Sequence, residues 1–129
     1  MSDEAIRTKN LNRRIFWLGM VATPIMVFVA GCRSTPPSKP LSQLTPVEMR
    51  GYHVFQSHCA ACHYANRGTS LHGPGLQGMF KKPYLPSGAP ANDERVCAAI
   101  QQGRNMMPAF GNVLDDRQMQ DLVAYLHTL

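Results

Sequence analysis

Several features are missing from this sequence of 129 residues, and each absence closes a class of function. No stretch is densely basic: from residue 32 onward nine Lys and Arg face six Asp and Glu, too mild an excess for a nucleic-acid-binding surface. No alternating pattern is long enough to specify a strand, and no segment repeats. The one Cys-x-x-Cys, at Cys59 and Cys62, has no second ligand pair at short spacing, which argues against a structural zinc site even with Cys97 recruited as a third sulfur. Charged residues are only 16 % of the chain, yet apolar residues reach 44 %, so wholesale disorder is excluded as well. A chain of this length is expected to hold one core.

What is present begins with a targeting signal. Ile15 to Gly31 is a run of 17 uncharged positions behind Arg13-Arg14 and ahead of Cys32-Arg33, the pattern of an export segment. It sits at the lower edge of what spans a bilayer as a helix, and Pro24 interrupts it. Val29-Ala30-Gly31-Cys32 resembles a bacterial lipobox, which implies cleavage before a lipidated Cys32; the alternative is an uncleaved signal anchor. Residues 1–31 are accordingly read as a lipoprotein signal peptide or an uncleaved anchor, and either places the remainder outside the cytoplasm. The motif around Arg13-Arg14 is incomplete for twin-arginine export. Residues 32–44, with three prolines and three serines after Cys32 and no aromatic residue, read as a tether whose extended reach is on the order of 40 Å.

Residues 45–129 are left for the folded domain, and its legible elements are helical. Thr45-Pro46-Val47-Glu48 is a capping box with Pro in the first turn, predicting a helix to about Ser57 with Val47, Gly51, Tyr52 and Phe55 inward. Asn92 ahead of Asp93-Glu94 predicts a second helix that buries Val96, Ala99 and Ile100 and stops at Gly103. Asp115 to Gln118 caps a third, with Met119, Leu122, Val123 and Leu126 on one stripe. Between the first two lies a Gly- and Pro-rich stretch, Asn66 to Ala91, long enough to imply that something other than protein fills the space it wraps.

Cys59-Ala60-Ala61-Cys62-His63 is Cys-x-x-Cys-His, and its spacing has a chemical logic. Two sulfurs in this register add to the two vinyl groups of a haem as thioethers, and the adjacent imidazole falls beneath the iron as an axial ligand. Export strengthens the reading, because such attachment takes place outside the cytoplasm.

Taken with Gly73-Pro74, Asn105-Met106-Met107-Pro108 and a C-terminal amphipathic helix, the motif resembles the class I monohaem cytochrome c family over residues 45–129. The resemblance implies an all-α fold of three to four short helices around one covalent haem c. It implies Cys59 and Cys62 as the attachment sites, His63 as proximal ligand, and Pro74 as the carbonyl that accepts the imidazole N–H and so fixes the ring. The Met-Pro pattern of the family selects Met107 over its neighbour Met106 as distal ligand, with Pro108 holding the loop extended. Gly51 and Phe55 match the family's contact with the last helix, for which Tyr125 is the candidate partner.

With His63 and Met107 both on the iron, no open position remains, so the expected function is electron transfer and not catalysis. The expected protein is a membrane-tethered single-electron carrier outside the cytoplasm, on the periplasmic side, serving redox protein partners in a respiratory chain. Similar lipid-anchored monohaem cytochromes occur in alternative complex III, so a subunit permanently docked in a quinol-oxidising complex is the first alternative. A haem-based sensor or peroxidase with a labile Met107 is the second. Cys97 reads as a buried small hydrophobe, and Lys81, Lys82 and Arg67 as cations that steer an acidic partner or are simply solvated.

Overall fold

The computed structural model describes residues 37–129, so the export segment and Cys32 lie outside the described residues. Three α-helices form as the caps predict: α1 over Pro46–His58, α2 over Asp93–Gln102 and α3 over Asp116–Leu126. Short 3₁₀ turns at Leu41–Gln43 and Met79–Lys81 complete the order. No strand occurs among the described residues, so the all-α expectation holds, and no described helix is long and apolar enough to cross a membrane. Each start is a local side-chain event. Thr45 and Glu48 exchange reciprocal bonds at α1, Asn92 accepts from Arg95 N–H at α2, and Asp115 with Gln118 repeats the box at α3. Gly103, at φ 71°, ends α2 in the left-handed region where a side chain would be strained.

The core sits where α1 crosses α3. A Cβ on Gly51 would fall on the Asp121 carbonyl and within 2.8 Å of the Tyr125 Cβ, so only glycine lets the two backbones approach this closely. Tyr125 then lies edge-on to Tyr52 with centroids 5.5 Å apart and tilted against Phe55 at 5.6 Å. Burial holds its hydroxyl proton, with a pKa pushed up to about 12 and Tyr52 adding to the effect. Phe55 and Leu122 are the largest fully buried side chains, each stabilising the fold by about 1.5–3 kcal/mol. Val96 and Ile100 bring α2 onto the same cluster, which Leu114, Met119, Leu126 and Leu129 close.

Three details depart from the sequence reading. Val47 is 42 % exposed, so the buried stripe of α1 does not include its first turn. Asp121 lies on the buried face of α3, only 5 % exposed, where Arg50 of α1 meets both its oxygens at 2.7 and 2.9 Å. The third concerns the tether, whose described end is not free. Lys39 N–H donates to Thr128 O at 2.8 Å, Lys39 Nζ pairs with Glu48 at 2.7 Å, and Leu44 packs on the core. Ordered chain therefore begins ahead of Thr45. Prolines at 37 and 40 extend the segment, its one long cation meets Glu48 of α1, and of its two leucines Leu44 packs on the core while Leu41 stays exposed.

Gly51→Ala is expected to destabilise the folded holoprotein by about 1–3 kcal/mol in a thermal melt. Gly68→Ala, where a Cβ meets nothing within 4 Å, should leave the midpoint unchanged. Arg50 holds the Asp121 carboxyl below its usual range, mainly through the hydrogen bond between them. A depressed folded-state pKa means that the pair's contribution is complete above the unfolded value, near 3.9, and is lost as pH falls through the lower folded value. Arg50→Leu should therefore lower the melting temperature at neutral pH, with the gap to the parent closing in that acid window.

Candidate functional site

The Cys-x-x-Cys-His turn continues directly from α1. Cys59 N–H and Ala60 N–H both donate to Phe55 O, at 2.8 and 3.0 Å, and Cys62 N–H and His63 N–H fold back to Cys59 O at 3.0 and 2.9 Å. Whatever fixes the end of α1 thus fixes the position of His63. The ring is then oriented by the following loop: His63 Nδ1 donates to Pro74 O at 2.8 Å, which leaves Nε2 with its lone pair free for a metal. Gly73 makes this approach possible, since a Cβ there would overlap the His63 ring. Gly73 N–H donates to Cys62 O at 2.8 Å and Leu76 N–H to Tyr64 O at 2.9 Å, so the loop is laced to the motif on both sides of the ring.

Both thiols of the motif are unpaired despite their spacing. Burial pushes the Cys59 thiol up to about 11, with the neighbouring Cys62 adding to it. No cluster of three His, Cys, Asp or Glu side chains able to hold a metal ion occurs among the described residues. Cys97 is half-buried on α2, its thiol also raised by burial, as suits a small packing residue.

Met106 and Met107 separate sharply. Met106 is 86 % exposed, whereas Met107 is half-buried against the core cluster beside Phe110. Both lie in the turn closed between Arg104 and Met107, which has Asn105 at φ 52°. Leu76, Met79, Phe80 and Leu85 of the long loop are likewise half-buried on the core, presenting apolar surface that protein covers only in part. A cavity of about 260 Å³ opens beside the motif, lined among others by Phe55, Ala60, His63 and Tyr64. Two thiols in thioether register, an imidazole with a free Nε2, a half-buried thioether and an incompletely covered apolar lining together fit a haem.

Of the cations grouped in the sequence reading, Arg67 lies 5.0 Å above the Tyr64 ring and Lys82 is exposed. Lys81 is a correction. Its Nζ donates to Leu129 O at 2.9 Å and so holds the Met79–Lys81 turn to the end of the chain. His127 stacks on Phe80 at 3.8 Å and lies 2.7 Å from Asp93. No local pattern marks His127; the acid at 121 on an apolar stripe was the one visible request for a partner such as Arg50.

A family model described as cytochrome c oxidase, cbb3-type, subunit III matches residues 46–126. Cytochrome c6 of Thermosynechococcus vestitus is 33 % identical over 91 residues, covering 67 % of this chain and 78 % of that protein. Cytochrome c6 of Synechococcus elongatus is 34 % identical over 76 residues, 59 % and 83 % of the two chains. A solved structure of cytochrome c6 from the diatom Phaeodactylum tricornutum shares 30 % identity over 61 % of this chain and 88 % of that one, with a TM-score of 0.49. An all-helical domain built on a Cys-x-x-Cys-His turn is thus the haem-attachment class of electron-transfer proteins. The chain belongs to the class I monohaem cytochrome c family, carries covalent haem c, and is a single-electron carrier, not an enzyme.

Gly73→Ala is expected to displace the His63 ring and lower holoprotein stability by about 1–3 kcal/mol, read as a shift of the urea midpoint.

Proposed function

We propose that this cytochrome is a membrane-tethered electron carrier of a respiratory chain, acting outside the cytoplasm on the periplasmic side. In this reading Cys59 and Cys62 hold the haem as thioethers, His63 and Met107 are its axial ligands, Pro74 orients His63, and Cys32 bears the lipid. The haem supplies a one-electron ferric/ferrous couple. Everything else is done by the chain. Pro74 O fixes the His63 tautomer and strengthens the imidazole as a donor. Met107 offers a soft sulfur that favours the ferrous state and raises the potential over that of a His/His pair. The observation that carries the reading is the contrast between half-buried Met107 and exposed Met106; with Met107 as a second donor beside His63, the iron would keep no position for a substrate. Redox protein partners follow as donor and acceptor, and the sensor or peroxidase alternative is disfavoured on the same ground.

One observation favours a second form of the proposal, the permanently docked subunit of a quinol-oxidising complex like the lipid-anchored cytochromes of alternative complex III. Because Lys39 is fastened to Thr128 and Glu48, the stretch from Cys32 to the first fastened residue counts seven steps of chain. Its extended reach is about 22 Å, half of what the whole tether would allow. A short leash suits a fixed station near the membrane better than a wide-ranging shuttle.

Fractionation of cells expressing Cys32→Ala tests the anchor. Exported protein in the soluble fraction is the expected result, whereas membrane retention with an uncleaved N-terminus would assign anchoring to the apolar run. Copurification of the parent with other redox subunits distinguishes the docked form from the shuttle.

A further inference from the structure

The loop that carries Met107 is fastened at both ends to one turn of α2. Gly103 N–H donates to Ala99 O at 3.0 Å, and beyond the loop Phe110 and Gly111 N–H return to Ile100 O and Gln101 O at 2.9 and 3.1 Å. Inside it, Arg104 and Met107 exchange both backbone hydrogen bonds at 2.9 Å. Gly103 packs so closely on the backbone of Met107, Pro108 and Ala109 that a Cβ would come within 2.6 to 2.8 Å of them. Phe110 also meets His58 of α1 edge-on, with centroids 6.0 Å apart, but the hydrogen bonds all run to α2. Displacing α2 therefore carries Met107 with it.

The other end of α2, about 15 Å away at 1.5 Å per residue, is held by a clasp on the surface. His127 caps α3, stacks on Phe80 with centroids 3.8 Å apart and planes at 12°, and places Nε2 2.7 Å from Asp93 Oδ1 in the first turn of α2. A carboxylate only accepts, so Nε2 is the donor. Both partners suit their helix ends, an anion at the start of α2 and a donor at the close of α3. Lys81, next to Phe80, holds the same turn to Leu129. Three segments distant in sequence thus meet at one imidazole.

We propose that the His127–Asp93–Phe80 clasp positions Met107: by setting where α2 rests, it sets how firmly the thioether is presented to the iron. This rests on the reading of Met107 as axial ligand. His127 touches neither haem nor ligand and is a positioning residue, acting through a rigid helix.

Carbon monoxide competes with a thioether for ferrous iron, so its apparent affinity rises with the fraction of molecules in which Met107 has let go. In the reduced holoprotein, His127→Ala and Asp93→Ala should each raise that affinity by roughly 2- to 30-fold. Asp93→Asn keeps the Oδ1 acceptor and should restore most of the parent behaviour. Arg50→Leu, which loosens α1 against α3 instead, should lower the melting temperature while raising carbon monoxide affinity less than His127→Ala does. Equal gains in Arg50→Leu and His127→Ala would show general destabilisation and overturn the clasp. So would no gain in His127→Ala while Met107→Ala binds carbon monoxide readily. Should Met107→Ala bind it no better than the parent, the ligand assignment itself falls, and the role of the clasp with it.

Discussion

Contact between two backbones at Gly51 is the constraint on which the rest depends. With no Cβ between them, α1 can lie against the Asp121 carbonyl of α3, and Tyr52 and Phe55 close around Tyr125 on either side. The haem-attachment turn is continuous with α1, so the crossing also sets where His63 stands. An extra methyl group at residue 51 would thus be felt first in the core and then, through Phe55 and Cys59, at the imidazole. Asp121 adds a polar lock to the same crossing, its carboxylate held by Arg50 and therefore present only above the acid range.

The two proposed axial ligands arrive by unlike routes. His63 is mounted on a helix end and braced by Pro74, with Gly73 giving the ring its room. Met107 sits in a loop hung from the last turn of α2, a helix whose apolar purchase on the core is Val96 and Ile100. One arm is stiff and the other depends on how a single short helix is docked. That asymmetry places any adjustability on the methionine side, where a thioether also binds more weakly than an imidazole and is the one expected to yield. Fixed geometry on the proximal side and a held loop on the distal side are what a carrier needs if electron transfer is to require little rearrangement.

Much of this was legible in the sequence because it is local. The boxes at Thr45 and Asp115 and the cap at Asn92 each involve residues three apart, and a helix start needs nothing more distant. The attachment motif is local too, and the pairing of Gly51 with Tyr125 was readable through family resemblance. What escaped depends on which surfaces meet. Val47 follows the helical stripe but stays exposed in the first turn of α1, so periodicity alone misassigned it. Residues 37–44 lack the composition of a core segment, yet one backbone bond to Thr128, one ion pair to Glu48 and one leucine suffice to fasten them. Lys81 and His127 look like solvated residues until folding brings Leu129 and Asp93 to them.

The central claim is a closed iron site with His63 on one side and Met107 on the other, which makes the protein a carrier and not a sensor or a peroxidase. The optical spectrum of the oxidised, exported holoprotein at the red end tests it most directly, since methionine sulfur on ferric iron gives a weak band there. The account predicts that band in the parent and in Met106→Ala and its loss in Met107→Ala. A parent without the band, or a Met107→Ala variant that keeps it, would contradict the account.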